Sequence, residues 1–312
     1  MKKQLLIAAV AATMTSVAFA DISITGGSKI NWTSTETAGA NNSAAFKHDV
    51  DFTLVGKSGD TTVSATVSNA NTASTVASTM TAENVFMTTK VMGANLKAGQ
   101  WSGSDSNLSN GSRSAGKFSA NYTVSGVKVT YEDSTAGSNS VALSGTVAGV
   151  AVSHKVSQNN TTDTKISGSA GGVTAKYRSV DVDTETATAR DKASLTLSTE
   201  VQGVTLSYAK VDVDGTAVTT SDDFFGTYNA ASLGFNEAEG FSAKTAIAGN
   251  TVTVKSYDVK PTAAQADDSF TKLIVTRPLA AGATFEMTYT DKDAGNARPD
   301  VTTLDLELAV KF

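Results

Sequence analysis

The sequence predicts an all-β chain: a transmembrane antiparallel β-barrel of 18 strands, with 16 as the runner-up count, short periplasmic turns and longer extracellular loops. Three observations predict it. Residues 301–312 read V-T-T-L-D-L-E-L-A-V-K-F, with Leu304, Leu306, Leu308, Val310 and Phe312 at every second position. Strict alternation makes a strand with one apolar and one wet face. A terminal strand ending on an aromatic invites edge pairing in water, but it suits the strand that closes a barrel against lipid. Secondly, alternating segments of this kind recur along the chain, joined by Gly-containing dipeptides and by longer polar connectors in turn. Thirdly, no stretch after the first 20 residues has 18 consecutive apolar side chains, so spanning helices are not expected.

In order along the chain, Lys2 and Lys3 form a positive n-region, Leu5 to Ala12 an apolar h-region, and Ala18-Phe19-Ala20 a small-x-small cleavage site. Residues 1–20 are therefore expected to be a signal peptide, and 21–312 one outer-membrane barrel domain. The expected strands are 21–32, 45–55, 61–69, 83–91, 94–101, 118–124, 127–133, 140–147, 150–157, 164–170, 173–180, 192–199, 204–211, 240–248, 251–258, 269–277, 283–290 and 301–312. Tight turns are expected at Met92-Gly93, Ser125-Gly126, Ala148-Gly149, Gly171-Gly172, Gln202-Gly203 and Gly249-Asn250. The long connectors are 33–44, 70–82, 102–116, 181–191, 212–226 and 291–300. Segment 224–235 is ambiguous between a loop with a helical turn and a misplaced strand. A β-sandwich would need denser apolar faces, and a solenoid a fixed repeat, which the uneven strand starts lack.

The chain has no Cys and three Pro, so neither disulfides nor thiolate metal sites stabilise it. Removing Lys2 and Lys3 takes the formal charge from −5 to −7, which argues against a nucleic-acid partner. The segment from Gly111 to Lys117 has the G-x-x-x-x-G-K spacing, but Phe118 stands where a phosphate loop needs Ser or Thr, and a strand follows. His48 and His154 are isolated on apolar faces and make poor catalytic bases. No enzyme is expected.

Alternation assigns the wet-face residues to the interior. The expected pore-lining set is Lys29, Lys47, Asp49, Asp51, Lys90, Lys97, Lys117, Lys128, Lys176 and Arg178, with further Lys on later strands and with Glu132, Glu286, Asp305 and Glu307 as the other interior acids. The wall is thus expected to be basic and the loops acidic. Outward aromatics such as Trp32, Phe46, Tyr122, Tyr131 and Tyr208 are expected to build interfacial girdles. Asp181, Asp183 and Glu185 are candidate ligands for a loop-bound Ca²⁺ or Mg²⁺, since spaced carboxylates suit hard cations, although no EF-hand pattern occurs.

The chain resembles a general diffusion porin of Gram-negative bacteria, of the α-proteobacterial type. The resemblance is carried by I-S-I-T-G-G-S-K-I-N-W (22–32), A-F-K-H-D-V-D-F-T-L-V-G-K-S-G-D (45–60), V-F-M-T-T-K-V-M-G-A-N-L-K-A-G-Q (85–100) and the terminal L-D-L-E-L-A-V-K-F. It implies an outer-membrane homotrimer of water-filled channels in lipid and lipopolysaccharide. It also implies a constriction loop after the fifth strand, here 102–116, with Asp105 and Arg113 its only charges. Phe312 is the candidate assembly signal for the outer-membrane assembly machinery. The expected function is passive diffusion of small hydrophilic solutes and ions, with weak anion preference. A sugar- or phosphate-specific channel, and an adhesion or receptor barrel acting through its acidic loops, are the alternatives.

Overall fold

The computed structural model describes residues 21–71, 81–101, 116–135, 137–158, 160–183, 191–217, 219–222, 226–229, 235–261, 267–279, 282–295 and 299–312. All its regular structure is β. The strands are β1 (Asp21–Thr37), β2 (Ser43–Ser58), β3 (Thr61–Asn71), β4 (Thr81–Val91), β5 (Ala94–Gln100), β6 (Lys117–Val124), β7 (Val127–Ser134), β8 (Ser138–Val147), β9 (Val150–Ser157) and β10 (Thr162–Ala170). They continue with β11 (Val173–Asp181), β12 (Lys192–Val201), β13 (Val204–Ala217), β14 (Thr219–Asp222), β15 (Gly226–Asn229), β16 (Phe235–Ile247), β17 (Asn250–Pro261), β18 (Asp268–Pro278), β19 (Ala283–Ala294) and β20 (Val301–Lys311).

Eighteen of these form one antiparallel ring, each strand pairing with the next, so the 16-strand alternative falls. β13 pairs directly with β16, and β14 and β15 form a separate two-stranded hairpin. Within segment 224–235, Gly226–Asn229 belongs to that hairpin and Phe235 begins β16, while residues 224–225 and 230–234 lie outside the described residues. The ring shuts where β20 lies along β1, from Gly27 opposite Lys311 to Thr37 opposite Val301. Closure leaves no sheet edge in lipid, which is what a membrane-spanning sheet requires.

The turns at one rim are set by backbone chirality. At Met92-Gly93, Ser125-Gly126, Ala148-Gly149, Gly171-Gly172, Gln202-Gly203 and Ala248-Gly249 both residues have φ between 49° and 84°. A two-residue hairpin whose twist matches its strands needs this conformation, and glycine takes it at the second position each time. The sixth turn is thus one residue earlier than the Gly249-Asn250 expected from sequence, and Asn250 begins β17. At the opposite rim, strands outrun the expected boundaries. β1 extends to Thr37, β13 to Ala217 and β19 to Ala294, so connectors 33–44, 212–226 and 291–300 shrink. Polar side chains there still pair in register, Thr302 Oγ1 with Asp291 for example at 3.2 Å.

The exterior is apolar. Ile22, Ile24, Ile30, Trp32, Phe46, Val85, Met87, Tyr122, Leu143, Leu206 and Phe241 are among its exposed large side chains. In a soluble protein such a continuous face would be an aggregation surface; around a closed ring it is the surface that lipid covers.

Candidate functional site

The register decides which residues share the interior face, because directly opposed residues point the same way. Lys29 faces Asp49, Asn31 faces Lys47 and Glu307, and Gly27 faces Asp51. Lys90 faces Asn95, Lys97 faces Thr88 and Ser119, and Lys117 faces Gly99. Lys128 faces Ser144, Lys176 faces Ser167 and Thr196, and Arg178 faces Lys165 and Ser194. All ten expected lining residues thus share the face opposite the exposed apolar set. Asp105, Arg113 and Glu185, with residues 1–20, lie outside the described residues.

The interior charges are segregated by arc, which strand-by-strand reading did not show. On β19, β20, β1 and β2 the carboxylates of Glu286, Asp305, Glu307, Asp49 and Asp51 meet Lys29, Lys47 and Lys311 around the middle of the wall. Lys29 bridges Asp49 at 3.8 Å and Glu307 at 3.7 Å. A hollow of about 570 Å³ gathers Lys29, Lys47, Asp49, Glu286, Asp305 and Glu307. From β4 to β12 the interior instead carries Lys90, Lys97, Lys117, Lys128, Lys155, Lys165, Lys176, Arg178 and Lys192. Glu132, Asp163 and Glu200 oppose them on the same face. Lys155 reaches Glu132 at 3.8 Å, and Lys97 lies 3.9 Å from the Phe86 ring centroid and 4.4 Å from that of Trp101.

Three lining residues are not simple exposed charges. Arg178 is 6% exposed and binds Asp163 through Nε at 2.8 Å and Nη2 at 2.6 Å, so this bidentate pair is neutral overall. Lys97 and Lys117 both lie over Trp101, the latter at 5.8 Å, so their ammoniums are held against the wall.

Sequence reasoning missed an inversion of polarity. Across β13, β16, β17, β18 and β19, Val211, Ala238, Val259, Asp268 and Ala294 stand side by side on the interior face. All are buried, and so are Ala209, Tyr257 and Phe270 in the next row. The Tyr257 and Phe270 rings stack with centroids 4.8 Å apart, and Lys292 holds Asp268 at 3.1 Å. The outward face of the same rows carries Lys210, Asp212, Glu237, Glu239, Asp258 and Lys260. Lys260 Nζ donates to Glu237 Oε1 at 2.6 Å, and Lys210 lies 3.0 Å from Asp212. On these rows the apolar buried side chains face inward and the charged ones outward.

The other candidates resolve as follows. Asp181 accepts from Thr162 at 3.3 Å and Asp183 from Asn160 at 3.4 Å. No group of three metal-capable side chains forms among the described residues. His48 faces Ile30 on the outward face, and His154 Nδ1 bonds Thr164 Oγ1 at 2.9 Å, so neither stands beside a nucleophile–acid pair.

No protein-family model and no curated protein matches the chain in sequence. Solved structures do match its fold. OpdQ of Pseudomonas aeruginosa superposes with a TM-score of 0.70 at 8% identity, over 94% of this chain and 99% of that one. OccAB4 of Acinetobacter baumannii gives 0.68 at 10% identity, over 94% and 98%. OccD3 (OpdP) of P. aeruginosa gives 0.65 at 12% identity, over 95% and 93%. At such identities the likeness is one of fold. With the apolar exterior and charged interior, it defines this chain as an 18-stranded β-barrel of the outer-membrane type.

Proposed function

We propose that this protein is a passive porin of the bacterial outer membrane, exported by a cleaved signal peptide and conducting small hydrophilic solutes and ions. The observation that carries the reading is the closed ring with lysines and carboxylates on its inner face and exposed apolar side chains on its outer one. A pore of this kind needs no catalytic group, only a polar wall and a field that biases ions. The β4–β12 arc supports weak anion preference, because its interior lysines outnumber its interior carboxylates. The exterior supports lipid as partner. Trimerisation, lipopolysaccharide contact and the α-proteobacterial general-diffusion type are supported by the sequence resemblance.

Liposome swelling with uncharged sugars of increasing size tests the channel. Size-dependent swelling is expected. A folded, heat-modifiable barrel that passes no sugar at all would instead support the adhesion or receptor reading.

A further inference from the structure

We propose that Arg178, Lys165 and Lys192 form a subsite in the interior wall for a doubly charged oxyanion. The proposal deepens the channel reading above, on which it rests for solute access.

The first observation is an orphaned donor. Arg178 spends Nε and Nη2 on the two oxygens of Asp163. Its Nη1 is buried and has no hydrogen-bond partner among the described residues. A buried donor left unmade is costly, and most such groups in folded proteins have a partner. Guanidinium offers its remaining N–H groups in a fixed plane, a geometry suited to oxyanions.

The second observation is charge. Lys165 stands directly opposite Arg178 in the β10–β11 register, and its Nζ lies 3.9 Å from the same Asp163 carboxylate. Like charges directly opposed across a strand pair are unfavourable. Lys192 takes the diagonal interior position on β12, beside Ser194, which faces Arg178. Arg178 and Lys165 thus share the Asp163 carboxylate, Lys192 stands on the same face across the β11–β12 pair, and the three cations exceed that one carboxylate by two charges. Lys176 follows at the next interior position of β11. A monoanion would leave part of this repulsion in place, whereas a dianion balances it. Phosphate, a phosphate monoester and a dicarboxylate share that chemistry.

Equilibrium dialysis of inorganic phosphate against the purified full barrel in detergent tests the site, with succinate and acetate as parallel arms. Saturable phosphate binding is expected, with acetate at least tenfold weaker. Succinate as tight as phosphate would assign the site to dicarboxylates, still dianions; weaker succinate would assign it to phosphates. Lys192→Gln leaves the Arg178–Asp163 pair intact and should weaken binding several-fold. Arg178→Lys should weaken it about tenfold or more, given the bidentate geometry that lysine lacks. Phosphate that fails to saturate, acetate that competes equally, or binding unchanged in Lys192→Gln would overturn the proposal and leave water as the partner of Nη1. Phosphate block of single-channel current, read on the same protein, separates the two readings. Conductance without binding removes only the subsite, and binding without conductance removes only the channel.

Discussion

Gly26 and Phe312 close the barrel. The Gly26 N–H donates to the Phe312 carbonyl at 2.8 Å, and the Phe312 N–H donates back to the Gly26 carbonyl at 3.0 Å. A Cβ on Gly26 would come within 2.7 Å of the Phe312 ring and 2.8 Å of the Asp51 carbonyl. The ring in turn meets Phe52 edge-on, with centroids 5.9 Å apart. The last residue of the chain is therefore seated on β1 and β2, and the glycine is what makes room for it.

Gly26→Val should accordingly loosen the seam. Overpacking at such a site costs about 1–3 kcal/mol. The expected result is a lower unfolding midpoint in urea and a larger fraction of unfolded mobility on unheated gels. Phe312→Ala should slow assembly and leave the mature ring less stable, by about 1 kcal/mol for a side chain that stays 62% exposed.

Asp163→Asn should be far more damaging than its conservative appearance suggests. It removes the partner of a buried guanidinium, at a cost of about 3–5 kcal/mol. Glu307→Gln removes a half-buried partner of Lys29, itself about half exposed, and should cost no more than about 1 kcal/mol. Urea titration of the two variants beside the parent measures the difference. Equal midpoints would show that Arg178 is hydrated rather than dependent on Asp163.

The strands, their alternation and their closure were legible because lipid and water impose a two-residue period on every segment. What was not legible follows from the same rule. In V-T-L-S-Y-A-K-V-D-V-D (204–214), the apolar phase runs Val204, Leu206, Tyr208 and then slips to Ala209, Val211, Val213. The β12–β13 pairing is continuous through the slip, so the phase change marks a change of surroundings and not a bulge. β17 does the same between Val254 and Tyr257. The segregation of interior charge was hidden for another reason. β1 and β20 lie far apart in sequence, and Lys29 of the one meets Glu307 of the other only on closure.

The inversion itself is testable. Val211→Asp places a carboxylate on a dry interior row, and should destabilise by at least about 2 kcal/mol. Asp212→Val, one residue on but outward among charged side chains, should be within about 0.5 kcal/mol of the parent. A thermal melt of both variants decides it; the opposite order would mean that the interior row is wet.

Ala148 holds φ at 50°, a conformation that side chains resist. Ala148→Gly should stabilise that hairpin by up to about 1 kcal/mol, visible as slower unfolding in urea.

Lys90, Lys128 and Lys176 face uncharged residues in register: Asn95, then Thr123 and Ser144, then Ser167 and Thr196. Replacing all three with Ala should shift the anion-to-cation permeability ratio toward cations by about twofold or more, since charges on the wall act within a Debye length of about 8–10 Å. Glu286→Gln with Asp305→Asn should shift it the other way.

Single-channel recording of the purified barrel across a KCl gradient tests the central claim most directly. Discrete conductance steps with a reversal potential displaced toward that of chloride are expected. A folded barrel that gives no steps, or steps that reverse near the potassium potential, would contradict a hydrated passage lined by the lysines of β4 to β12.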